Sequence, residues 1–301
     1  MKSVEFEEKE YEAFLYTQLE RGTLQLWSPG QVLEHYLGID RGLLTVCEYL
    51  WQLKGHSQPL RGFAPYYFAD LWHHLPRRRS ARGRLPRFRL NCFVQAKRPS
   101  YGVRLPPRLT KLGVAPVFYR FDVDQHQQSC IERVAQRLAN RALFVYAAAV
   151  YHTTRDLFRH SGRGTTVEHS TFPDIVAMTG HKAWYYNSPG GSGVRNQGFE
   201  PYESASLEQR LQALRAELTV TGQEGTQSAE LAALSTAIAA AVIESDEVAG
   251  TARADAMSDE WRNIDSFVDN TGAQPAARDF LHVVAFTVYF NLFWLTAAEE
   301  V

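Results

Sequence analysis

The chain has 301 residues, 45% of them hydrophobic, and a formal net charge of -1. That is enough to bury a sizeable core in one large domain or two smaller ones, and the total charge says nothing about partners. Three cysteines, Cys47, Cys92 and Cys130, lie far apart with no C-x-x-C pair. This argues against a zinc knuckle or a disulfide framework and for buried thiols in a reducing cytosol.

The charge distribution is more informative than its sum. From Leu71 to Phe121 there are thirteen Lys or Arg and no acid, whereas Pro201 to Val301 holds sixteen acids and five bases. Such an asymmetry marks a polyanion-facing region and a second region employed differently. The N-terminus, MKSVEFEEKEYE, is acidic and lacks the apolar stretch of a signal peptide, so a cytoplasmic protein is expected.

In chain order, residues 4–20 predict a helix, with Val4, Tyr11, Phe14, Leu15 and Leu19 on one stripe. Glu8 falls inside that stripe, where an acid must be paired, ligate a metal, or stay wet at a frayed first turn. Residues 22–29 read as a break or short strand, 31–37 as a helical turn ending at Gly38, and 39–46 as a strand or hairpin start. Residues 55–88 are irregular and rich in Pro, Gly and Arg. Phe88 to Ala96 alternates as a strand does, and Val117 to Val123 follows the same rule. Asp124 is placed to cap a helix with Gln127 in capping-box position, and Ile131, Val134, Ala135 and Leu138 form its apolar face. Leu143 to Val150 is a continuous apolar run, as in a buried central strand.

Further on, Ala183–Tyr186 predicts a strand and Pro189–Gly193 a glycine-rich turn. Leu207, Leu211, Leu214 and Leu218 make a heptad-like seam. Residues 221–228 read as a polar linker, Ala229–Ile243 as a helix, and the surroundings of Asp259–Asp269 as a polar stretch. Pro275 suits the first turn of a last helix. Leu281 to Ala298 falls short of the ~20 apolar residues of a membrane span, so a buried helix is expected there and no membrane partner.

Phosphodiester hydrolysis uses a divalent metal, carboxylates to hold it and a cation beside the developing charge. The stretch Glu34-His-Tyr-Leu-Gly-Ile-Asp40 puts two carboxylates around a glycine turn. The strand ending Phe93-Val-Gln-Ala-Lys97 sends Gln95 and Lys97 to the same face. A helix, an acidic G-x-D turn, a strand with Q-x-K, a helix and a buried strand, in that order, resemble the PD-(D/E)xK nuclease superfamily in its Mrr-like variant with glutamine. The resemblance covers residues 4–150. It implies a restriction-endonuclease-like α/β core, with a mixed sheet flanked by helices. In it Asp40 and Gln95 would ligate Mg²⁺ or Mn²⁺, Lys97 would orient water or stabilise charge, and Glu8 or Glu34 would add an acid. It also implies a bacterial restriction or anti-phage setting. The sequence departs from the family pattern in having no proline before Asp40 and a neutral Gln95 in place of an acid. The only Pro-Asp pair, Pro173-Asp174, comes too late in the chain.

Arg77, Arg78, Arg79, Arg82, Arg84, Arg87 and Arg89 precede the Q-x-K strand, and Arg98, Arg104, Arg108 and Lys111 follow it. Guanidinium clusters of this kind neutralise phosphates, so DNA is the expected partner. The histidines have no metal-ligand spacing and are expected to be satisfied or solvated. The expected organisation is a nuclease core at 1–150, an α/β extension at 151–204 and an acidic helical region at 205–301. Phe280, Leu281, Val284, Phe286, Tyr289, Phe290, Phe293 and Trp294 are expected to surround one helix with apolar surface. The last region is therefore expected to pack on the core and on a second chain, a copy of itself or a partner protein, and to mask the basic window with its negative charge. Two other classes are open: a non-catalytic nucleic-acid-binding or scaffold subunit that retained the fold, and a membrane-acting effector using residues 281–298.

Overall fold

The computed structural model describes residues 1–21, 26–27, 90–139, 141–220, 227–249, 252–271 and 275–297. They fall into two compact units. One contains the described residues of 1–27, 90–223 and 293–295, and the other is built on the helices between 224 and 292. The fold is mixed α/β, with two sheets flanked by helices and a C-terminal helical region.

Helix α1 spans Glu8–Arg21 and starts four residues later than the apolar stripe alone predicts. The cause is local: the Glu7 backbone N–H donates to the Glu10 carboxylate at 2.7 Å, satisfying an end group that the helix cannot. Val4 and Phe6 are buried ahead of the helix, while Tyr11, Leu15 and Leu19 are its buried face.

One sheet of the first unit has the order β2-β11-β3-β6-β7, from strands Leu26–Trp27, Phe293–Ala297, Leu90–Ala96, Ala142–Ala149 and Ser170–Thr171. β3 and β6 run parallel, in register from Asn91 opposite Ala142 to Ala96 opposite Ala147. Both are buried at nearly every position and mainly apolar because both faces are covered, with Asn91 and Gln95 the polar residues of β3. The connection between them contains helix α3, Gln125–Arg137, whose Ile131, Val134, Ala135 and Leu138 are all buried.

The other sheet is wholly antiparallel, in the order β1-β4-β5-β8-β9-β10. Its strands are Lys2–Ser3, Ser100–Gly102, Phe118–Asp122, Ala183–Tyr186, Gly193–Asn196 and Glu200–Tyr202. Helix α2, Pro107–Lys111, lies over one face. Helix α4, Thr154–Arg163, is capped by the Thr153 side chain accepting the Asp156 N–H, and Gly164 closes it in the left-handed region at φ 67°. Helix α5, Leu207–Val220, buries Leu207, Leu211 and Leu214 and packs on β3 and β6. Arg210 fastens it by an ion pair to Asp174 and a hydrogen bond to the Phe172 carbonyl.

The second unit contains α6, Gln227–Ala249, α7, Ala252–Thr271, and α8, Pro275–Tyr289, each packed on the other two. The stretch around Asp259–Asp269, polar in sequence, is helical within α7. Its apolar residues Met257, Trp261 and Val268 recur at helical spacing and are buried.

The expected single helix over Leu281 to Ala298 is corrected. α8 stops at Tyr289, and Phe293–Ala297 forms strand β11. The stop is a Schellman motif: Asn291 takes φ 51°, its N–H reaches the Val288 carbonyl, and the Leu292 N–H reaches the Thr287 carbonyl at 2.8 Å. Phe293 and Trp294 therefore belong to a strand and not to the apolar surface of a helix. No helix among the described residues is long and apolar enough to cross a membrane.

Candidate functional site

The C-terminal end of β3 gathers the described members of the expected constellation. Gln95 and Lys97 leave the strand on one face, shared with Phe93 and, across the register, with Phe144 and Tyr146 of β6. The Lys97 backbone N–H donates to the Ala147 carbonyl at 2.8 Å, which carries the parallel ladder one residue past β3 and fixes the base of that side chain. The Lys97 ammonium lies 5.4 Å from the centroid of the Tyr146 ring, a cation–π distance. Gln95 is buried, and Lys97 is half-buried.

Helix α3 reaches this face with two successive glutamines. Gln95 donates its side-chain N–H to Gln127 Oε1 at 3.3 Å. The Tyr146 hydroxyl donates to Gln128 Oε1, and Gln128 Nε2 donates to the Ile175 carbonyl at 2.7 Å. Burial pushes the Tyr146 hydroxyl far up from its ordinary value, so it stays protonated and donates. The Asp124 carboxylate accepts the Gln127 backbone N–H at 3.4 Å, as a cap does. The Gln127 side chain does not complete a capping box and turns to Gln95 instead. Tyr146 is the residue that sequence reasoning left out of the site, and Gln127 is one that it assigned to capping alone. The available signal was a lone tyrosine within the apolar run Leu143 to Val150.

Glu8 comes to the same strand end from the first turn of α1. Its carboxylate accepts the Arg98 backbone N–H at 3.0 Å. Burial raises its pKa above the usual carboxylate value, opposed by the positive charge of Lys97 and by that N–H. The next acid on the buried side of α1, Glu12, pairs with Lys9 at 2.5 Å. The Arg98 guanidinium is engaged within the fold, with the Glu7 carboxylate at 2.8 Å and the Val4 carbonyl at 3.1 Å.

Asp40, Glu34, Arg77, Arg78, Arg79, Arg82, Arg84 and Arg87 lie outside the described residues. Among the described residues no group of three His, Cys, Asp or Glu is placed to hold a metal ion. The donors present at the end of β3, a carboxylate on Glu8 and an amide oxygen on Gln95, are the oxygen type that a hard divalent cation takes.

The late Pro173-Asp174 pair is structural. Asp174 accepts from Tyr202 at 3.1 Å and pairs with Arg210. The histidines His152, His160, His169 and His181 each have a hydrogen-bond contact within the fold, to Tyr119, Thr165, Thr165 and Asn196. Comparison with known proteins returns no match, whether to a protein-family model, a curated protein or a solved structure.

Proposed function

We propose that the chain is a metal-dependent endonuclease acting on DNA, with a restriction-endonuclease-like core and its reaction centre at the C-terminal end of β3. One observation carries this reading: Glu8 from α1 meets the Lys97 charge and the Arg98 N–H where Gln95 and Lys97 leave one face of β3. The parallel β3–β6 pair with α3 in its connection agrees with the same superfamily arrangement.

In this reading Asp40 and Gln95 would hold Mg²⁺ or Mn²⁺, with Glu8 or Glu34 as an additional acid. A bound divalent cation would supply charge neutralisation at the scissile phosphate. Lys97, held by its backbone bond to Ala147 and by Tyr146, would keep a cation beside the attacking water and the negative charge that develops on the phosphoryl oxygens. Gln127 holds the Gln95 amide nitrogen, which orients the carboxamide with its oxygen on the other branch.

Metal-dependent nicking of plasmid DNA tests the reading. Asp40→Ala and Lys97→Ala should each abolish cleavage and leave the fold intact. Wild-type protein that cleaves no DNA or RNA form with any divalent metal would sink it. The second reading is a non-catalytic nucleic-acid-binding subunit. What favours it is a neutral Gln95 already held by Gln127 at the position where the general PD-(D/E)xK pattern has an acid. We also propose a homo-oligomer or a protein partner through residues 205–301, in a cytoplasmic anti-phage setting. Light scattering that gives a strict monomer with no co-purifying protein would count against the oligomer.

A further inference from the structure

Residues 103–113 form a short arm on one face of the six-stranded sheet. Leu105, Leu109 and Val114 turn inward onto Phe118, Ala183, Tyr185 and Val194 and hold the arm in place. Two prolines at the start of α2 and the Leu112 N–H bonding to the Leu109 carbonyl fix its backbone.

The other side of the arm is turned to solvent. Arg104, Arg108 and Lys111 are all exposed, and none of the three makes an ion pair among the described residues. Val103 is 64% exposed and Leu112 36% exposed beside them. No acid occurs in sequence from Lys97 to Phe121. The acid that this sheet face does carry, Asp122, is taken by Arg120, whose guanidinium also lies 5.6 Å from the Tyr185 ring centroid.

A protein surface normally intersperses charge signs, because unpaired like charges repel in the folded state. Three cations that make no ion pair among the described residues, on a braced arm whose own sequence holds no acid, suit a partner that brings closely spaced negative charge. The backbone is already fixed, so binding costs little ordering entropy. Two apolar side chains give too little surface to enter a bilayer, and α2 is too short for an amphipathic anchor. We propose that this arm is a second docking surface for the phosphate backbone of duplex DNA, on elements other than those that carry the proposed reaction centre. The choice of DNA over other phosphate polymers rests on the nuclease reading.

The test is a binding titration of the full chain with a short fluorescein-labelled DNA duplex in EDTA, where cleavage cannot occur. It compares wild type, R104A/R108A/K111A and the charge-conserving R104K/R108K/K111R across a salt series. The alanine variant should melt as wild type does, since all three side chains are exposed. Its plot of log affinity against log salt should flatten by ~0.9 for each phosphate no longer neutralised, or ~2.7 in all, and the charge-conserving variant should keep the wild-type slope. An unchanged slope in the alanine variant would overturn the proposal. So would wild-type binding to phosphatidylserine vesicles with none to the duplex. A chain that binds DNA through the arm but never cleaves it would sink the nuclease reading and leave the arm standing.

Discussion

The indole N–H of Trp294 donates to Oδ1 of Asn91 at 2.8 Å, a buried bond between residues 203 positions apart. Asn91 lies at the start of β3, four residues before Gln95, and Trp294 lies in β11, the strand beside β3. Phe93 stacks on Trp294 at 6.0 Å, and Tyr16 of α1 stacks on Phe293 at 4.0 Å. The end of the chain thus supplies one of the two neighbours of the strand that carries Gln95 and Lys97, and it touches the helix that carries Glu8.

Removing that neighbour should be costly. Trp294→Ala is expected to destabilise the chain by ~3–5 kcal/mol through the cavity alone. Asn91→Ala should cost ~1–3 kcal/mol by leaving the buried indole N–H without this acceptor. The double variant should lose less than the sum of the two, measured by urea unfolding. Truncation after Asn291 should expose the edge of β3 and give aggregated protein. Soluble truncated protein with wild-type melting would show that β11 is dispensable.

Gly193 is required for space and not for its backbone angle. A Cβ there would stand 2.5 Å from Cζ2 of Trp184 and 2.6 Å from the Tyr185 carbonyl oxygen. Trp184 is fully buried and donates its indole N–H to Thr171 at 3.3 Å, so it has no room to yield. Gly193→Val should cost ~1–3 kcal/mol by overpacking and lower the melting temperature. An unchanged melting temperature would mean that the β8–β9 pair separates more easily than this packing implies.

The parts of the fold that sequence revealed share one property: their pattern is local. The apolar run at Leu143–Val150, the alternation up to Ala96, the Asp124 cap and the Ala183–Tyr186 strand all match the structure within two residues or so. The last apolar stretch did not read correctly, because Phe293 and Trp294 continue a helical hydrophobic pattern. What stops the helix is the left-handed Asn291, and what makes a strand of the rest is the edge of β3, far away in sequence. At the candidate site, the shared face of Gln95 and Lys97 followed from strand periodicity, and the position of Glu8 from helical periodicity. The partnership with Gln127 did not, because a glutamine three residues after a capping aspartate has a sufficient local explanation.

Glu8 should show a trade of stability against function. Its raised pKa means that the ionised carboxylate is less comfortable in the fold than in the unfolded chain. That penalty is absent below the ordinary carboxylate pKa, builds as pH rises through the interval up to the raised value, and is constant above it. Glu8→Gln should therefore leave the melting temperature at neutral pH equal to or higher than wild type, with the difference shrinking on acidification. The same variant should lose metal-dependent cleavage. A variant less stable than wild type at neutral pH would show that the Arg98 N–H and Lys97 outweigh the burial of Glu8.

The contact between Gln95 and Gln127 makes the sharpest test of the site, because two substitutions at it should move metal dependence in opposite directions. Gln95→Glu adds a ligand charge beside Lys97, so cleavage should persist and half-maximal activity should need less Mg²⁺. Gln127→Ala removes the acceptor that holds the Gln95 amide nitrogen. The carboxamide then turns more freely, and in the proposed reading its oxygen would spend less time facing a cation. Gln127→Ala should therefore need more Mg²⁺ for half-maximal activity, with maximal rate at saturating metal changed far less. Gln127→Glu should keep the acceptor and stay near wild type. A purely structural role for Gln127 would lower the melting temperature and the maximal rate together and leave the metal requirement where it was. Complete loss of cleavage in a well-folded Gln95→Glu protein would argue that Gln95 is not a metal ligand and move the reading toward the non-catalytic alternative.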